Sequence, residues 1–99
     1  MAVHVLALTV DLRLPQCRSR KDKRAITRAM IDGARRRYQV AAAETDHLDR
    51  WQRCEMAFTT VSGTRHQVEE VLDAVERFVW SHPEVDVLST ERYWLETDP

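Results

Sequence analysis

The segment Val3–Leu12, VHVLALTVDL, constrains the fold more than any other part of the chain. His4, Leu6, Leu8, Val10 and Leu12 share one face at period two, and Val3, Val5, Ala7 and Thr9 share the other. Both faces are largely apolar. A strand of that kind lies inside a sheet, and something must cover each of its faces. Leu14-Pro15 ends it, because proline has no N–H to give to a central ladder.

Ser19 then reads as a helix N-cap, with Asp22 in the place of a capping-box partner but shorter than the usual glutamate. Ile26, Ala29, Met30 and Gly33 recur at helical spacing, and the small pair Ala29 and Gly33 predicts a close approach to the sheet. This helix ends near Tyr38. An alanine-rich strand over 39–46 ends in acids, and residues 47–53, HLDRWQR, lead to a third strand over 54–61 without a turn glycine. Ser62-Gly63 breaks that strand. Thr64 and Gln67 have capping-box spacing, and Val68, Val71, Leu72, Val75, Phe78 and Val79 mark an amphipathic second helix. His82-Pro83 stops it, and a last strand spans 85–95.

The order strand–helix–strand–strand–helix–strand in 99 residues predicts one domain over 1–99, of class α+β. The expected arrangement is the ferredoxin-like plait βαββαβ, a four-stranded antiparallel sheet with two helices on one face and right-handed crossovers. That leaves the other face open. Val3, Val5, Ala7, Trp51, Tyr93 and Trp94 are the residues expected to cover it, and an apolar open face on a small domain predicts a homodimer or larger oligomer. Cys17 and Cys54 lack CxxC spacing and are expected to be free thiols. No apolar run reaches the length of a membrane span, and Met1–Val10 lacks the pattern of a leader, so a cytoplasmic location without membrane association is expected.

A net charge of −1 conceals a division. Residues 1–40 carry ten Lys and Arg against three acids, a net +7, whereas the remainder carries five against thirteen, a net −8. The first helix is therefore basic and the second, with Glu69, Glu70, Asp73 and Glu76, acidic. Positive charge at a helix start opposes the helix dipole, so Arg18, Arg20, Lys21, Lys23, Arg24 and Arg28 do not serve helix stability. They are candidates to grip a polyanion; the alternative is a solvated face paired with the acidic helix or another subunit. Base stacking on the sheet is disfavoured, since the first strand has no aromatic residue and the third only Phe58. Glu44, Asp46, His47 and Asp49 cluster at the end of the second strand as a candidate pocket, with Glu44 and Asp46 expected on one face. They lack any metal-ligand spacing, and His4, His66 and His82 are dispersed; no catalytic residue, metal or cofactor is assigned.

Two segments carry a family resemblance. Leu14-Pro15 with Ser19-Arg20-Lys21-Asp22-Lys23-Arg24 resembles the LPxxxSLKxKR signature of the YlxP-like family. Ala43-Glu44-Thr45-Asp46-His47, running on through Asp49 to Trp51-Gln52-Arg53, resembles its AExDHxDxWQR stretch, and Val68–Val75 and Glu91-Arg92 also fit. Arg20 stands where the family has leucine, which makes the segment more basic here. The resemblance implies a ferredoxin-like fold and a domain of unknown function, in gene neighbourhoods with translation-initiation and ribosome-maturation factors. The resulting expectation is a noncatalytic binding protein, associated with ribosomal RNA or a ribosomal particle through its basic first helix. The alternatives are a small dimeric enzyme, or accessory subunit of a biosynthetic enzyme, using the open sheet face as a pocket, and a protein-interaction adaptor.

Overall fold

The structure, a computed structural model, describes residues 2–95. Six elements follow one another: β1 (His4–Arg13), α1 (Arg20–Tyr38), β2 (Ala41–Asp46), β3 (Arg53–Ser62), α2 (Arg65–Trp80) and β4 (Asp86–Trp94). The strands form one antiparallel sheet in the order β2-β3-β1-β4. This is the expected ferredoxin-like α+β plait, and β1 lies inside the sheet as its two apolar faces require. Among the described residues, no helix is long and apolar enough to cross a membrane.

Leu6, Leu8, Val10 and Leu12 of β1 are fully buried beneath the helices, beside Met56 and Phe58, which pair with Val10 and Leu8. Met30 and Ala34 of α1 and Val68, Leu72, Val75 and Val79 of α2 complete the core. Residues 5, 7, 9 and 11 of β1 point to the other face, which no helix covers.

The caps form in altered detail. Ser19 Oγ accepts from Asp22 N at 3.0 Å, but the shorter aspartate accepts from Arg18 N rather than closing the box on Ser19. Thr64 Oγ1 accepts from Gln67 N at 3.3 Å, while Thr64 N donates to Ser62 Oγ. The C-cap of α1 is Gln39 in the left-handed region, φ 55°, where glycine is usual.

Three expectations need correction. The inner face of α1 runs through Lys23, Thr27, Met30, Gly33 and Ala34, and Ala29 is exposed. Gly33 does permit a close approach, but to the other helix: a Cβ there would lie 2.9 Å from Phe78 Cζ. Trp94 is not on the open face. It pairs with Leu6, packs against the core on the helix side and lies 4.0 Å beneath the Arg65 guanidinium. The cause is a bulge at Leu88, since Leu12 pairs with Val87 whereas Asp11 pairs with Ser89. Finally, Glu44 and Asp46 do not share a face. Glu44 pairs with Met56 and Asp46 with Glu55, so Thr45 is the extra residue of a second bulge and the chain beyond it is turned over.

Candidate functional site

Lys23 is set apart from the cations around it. It is 5% exposed, and its Nζ donates to the carbonyls of His47 at 2.7 Å and Arg50 at 2.6 Å. Nζ also lies 2.8 Å from Glu44 Oε2, out of line for a hydrogen bond, so that contact is Coulombic. The buried ammonium thus pins the β2–β3 connection beneath the first turns of α1. Two of its three donors are bonded, its charge faces Glu44 and its side chain is enclosed, which removes it from the set of residues able to meet a polyanion. The thiol of Cys54 sits in this environment and is pushed up to about 12, chiefly by burial and then by the Glu44 carboxylate. Burial likewise raises Cys17; both thiols are buried and unpaired.

The other basic residues of α1 are exposed. At about 100° per residue, Arg20, Lys21, Arg24, Arg28 and Arg35 fall within roughly 100° of the helix circumference. That flank is opposite Gly33, hence away from α2 and toward the free edge of β2. The stripe runs about 22 Å at 1.5 Å per residue. Arg24, Arg28 and Arg35 line a shallow groove of about 500 Å³ whose far wall is Ala43 and Glu44 of β2. Arg35 Nη2 also donates to Ala42 O at 2.6 Å, blunting the sheet edge, and its other nitrogen lies 3.7 Å from Asp32. Among the described residues, Arg18, Arg20, Lys21, Arg24 and Arg28 have no acid within ion-pair distance. Arg35 is absent from the sequence-based set, although its place eleven residues after Arg24 puts it in the same stripe.

The acids of α2 do not neutralise that stripe. Glu69 and Glu70 pair one turn away with Arg65 and His66, and Asp73 and Glu76 pair with Arg92 of β4 at 2.9 and 3.2 Å. Between the helices the contact is aromatic instead: Tyr38 packs edge-on to Phe78, and the Arg37 guanidinium lies 5.2 Å from the same ring.

The acidic cluster of the second strand is dispersed. Glu44 is on the helix side under Lys23, and Asp46 faces the other way and accepts from His47 N. Asp49 and Trp51 are exposed in the connection. His47, held in the left-handed region at φ 61°, has its Nε2 3.7 Å from Asp11 Oδ1 and 3.5 Å from Arg53 Nη2. Arg53 Nη2 donates to both oxygens of Asp11, at 3.0 and 2.8 Å. His47 therefore belongs to a charged cluster on the open face, with partners that only the strand register reveals.

Val3, Val5, Ala7 and Tyr93 do line the apolar part of that face, Val3 and Tyr93 being half exposed. The Tyr93 hydroxyl donates to Glu91, a bond that holds its pKa above the usual tyrosine value.

Residues 5–92 match the family described as a protein of unknown function, DUF503. The chain is also similar to a protein of Bacillus subtilis (strain 168) named "Uncharacterized protein YlxP". The two are 32% identical over 77 residues, covering 78% of this chain and 84% of the relative.

Proposed function

This chain belongs to the DUF503 family, and from that premise we propose that it is a noncatalytic RNA-binding protein of the cytoplasm, gripping the phosphate backbone along the outer flank of α1. Ribosomal RNA, in or on its way to a ribosomal particle, is the polyanion toward which the family resemblance points. One observation carries the reading. Arg20, Lys21, Arg24 and Arg28 lie on one exposed flank without acidic partners among the described residues, while the acids of the neighbouring helix are spent on Arg65, His66 and Arg92. A run of unneutralised guanidinium groups on a rigid helix suits phosphates spaced along a strand. The sheet is poorly suited to bases: Asp11, Glu55 and Glu91 line its open face, where Tyr93 on an edge strand is the aromatic residue.

The test is titration of a fluorescent RNA hairpin at several salt concentrations. Contact with about four phosphates predicts a slope of log affinity against log salt of roughly −3 to −4. Arg20→Glu/Arg24→Glu/Arg28→Glu should weaken binding by at least about tenfold and flatten that slope. Binding that ignores salt, or a triple variant that binds as well as the parent, would overturn the reading. Lys23 is left intact, because its replacement tests folding rather than binding.

A further inference from the structure

The open face of the sheet is asymmetric in a way that suits a second copy of itself. Across one row of the register lie Ala41, Thr59, Ala7 and Tyr93, in the order β2, β3, β1, β4. The bulky residue is at one edge and the small ones span the rest. Ala7, Ala41, Ala43, Ala57 and Thr59 floor a hollow of about 360 Å³, and Tyr93, 52% exposed, stands at the opposite edge.

We propose that the protein is a two-fold homodimer packed sheet to sheet through this face, with Tyr93 of each copy seated in the alanine-lined hollow of the other. A two-fold axis parallel to the strands, passing between β1 and β3, exchanges the two edges of the sheet. It lays Tyr93 over Ala41 of the second copy, Ala7 over Thr59 and Val5 over Val61, the last pair apolar on both sides. The small central residues let the two sheets approach to face-packing distance.

Area supports the same occupant. Four strands about 4.8 Å apart and about nine residues long present roughly 600 Å². Two such faces bury roughly 1,200 Å², within the range of specific interfaces. At the far end of the face Asp11, Glu55, Arg13 and Arg53 form a charged zone. The same axis lays Asp11 over Glu55 and Arg13 over Arg53, so this end forms a wet rim where water and salt screen like charges around an apolar centre. Nucleic acid is a poor occupant, because Asp11, Glu55 and Glu91 would meet its phosphates.

The inference rests on the face opposite α1 and stands apart from the RNA reading. In such a dimer both α1 helices lie on the outside, so each particle presents two basic stripes to a polyanion, and avidity follows without any new contact.

Light scattering during size exclusion of the full chain decides it. The expected mass is twice the 11.6 kDa of the chain. Ala41→Arg should yield a monomer with an unchanged far-UV circular dichroism spectrum. Tyr93→Ala should weaken the dimer at least about 30-fold, since the two-fold removes an aromatic from a hollow on both copies at once, whereas Tyr93→Phe and the outer-face control Arg36→Glu should leave it intact. A parent protein that stays monomeric at about 100 μM overturns the proposal. So does a dimer that survives both Ala41→Arg and Tyr93→Ala.

Discussion

α1 and α2 lie side by side on the same sheet, yet the acids on α2 have basic neighbours within the domain and most of the cations on α1 have no acidic one. On α2 each acid from Glu69 to Glu76 has a basic side chain within 3.5 Å, one turn along the helix or on β4: Arg65 for Glu69, the imidazole of His66 for Glu70, and Arg92 for both Asp73 and Glu76. On α1 one lysine is buried and held by two carbonyls beside Glu44, while Arg20, Lys21, Arg24 and Arg28 have no acid within ion-pair distance among the described residues; Arg35 alone has Asp32, at 3.7 Å. Charge on α2 is part of the packing; charge on α1 divides into one structural cation and a surface kept open. A lysine at one position and an arginine at the next thus serve opposite purposes, and the face each occupies decides which.

Replacing Lys23 should have the largest effect. Lys23→Ala leaves Glu44 as an uncompensated charge and the Arg50 carbonyl without its donor, and takes one of two donors from the His47 carbonyl. Breaking a buried pair from one side costs about 3–5 kcal/mol. That is much of the 5–15 kcal/mol available to a domain of this size, so urea denaturation should show a large fall in midpoint. The double variant Lys23→Met/Glu44→Leu should recover part of the loss, since an apolar pair can replace a buried ion pair. It should not recover all of it, because the Arg50 carbonyl is left without a donor, at about 1–3 kcal/mol, whereas His47 O keeps the Arg50 N–H at 3.0 Å. A single variant as stable as the parent would erase the distinction between Lys23 and its neighbours.

The next effect lies where the two helices meet. Gly33→Ala gains up to about 1 kcal/mol of helix propensity. Its new methyl group, however, would stand 2.9 Å from Phe78 Cζ, in a ring held by Tyr38, Arg37 and His82. Overpacking of that kind costs about 1–3 kcal/mol, so the net expectation is a loss of roughly 1 kcal/mol. In a Phe78→Leu background the same substitution should turn neutral or stabilising, and the coupling read from that double-mutant cycle locates the clash.

How much of this was legible in the sequence depended on whether a residue's face followed from simple period. The alternation in β1 and the heptad-like run Val68–Val79 fixed the central strand, the second helix and, with the caps, the order of elements. Lys23 carries a signal of its own: it shares a face with Thr27, Met30 and Ala34, at four-, seven- and eleven-residue offsets. A lysine in that register is either snorkelling or pinned, and only the β2–β3 connection decides between them. Two strand assignments were beyond reach for another reason. Tyr93 and Trp94, both expected on the open face, are neighbours on one strand and cannot both face out; counting by twos from Val87 would pick Trp94, and the bulge at Leu88 makes it Tyr93. Counting from Ala42 sends Glu44 and Asp46 to one face, and the bulge at Thr45, bonded to Glu55, separates them. A bulge depends on the partner strand, so a single strand read alone does not reveal it. His47, Asp11 and Arg53 are likewise neighbours only once β1 and β3 are in register.

A smaller effect tests the matched side of the comparison. Arg92→Ala removes the partner of both Asp73 and Glu76, but all three groups are at least 30% exposed. The loss should be about 0.5–1 kcal/mol, and it should shrink as salt is added.

The smallest effect on stability has the opposite sign. Arg20, Arg24 and Arg28 stand four residues apart on one helix face, and like charges at that spacing cost a few tenths of a kcal/mol per pair. The first two also oppose the dipole at the N-terminal end of α1. Arg24→Gln should therefore raise stability slightly, by up to about 0.5 kcal/mol at low salt, and the gain should vanish at high salt. The same substitution should lower RNA affinity. A residue that weakens its own helix yet strengthens binding has its explanation outside the fold, in the usual exchange of stability for function. If Arg24→Gln proves destabilising at low salt, α1 has a partner for this cation within the domain, and the contrast between the two helices fails at its centre.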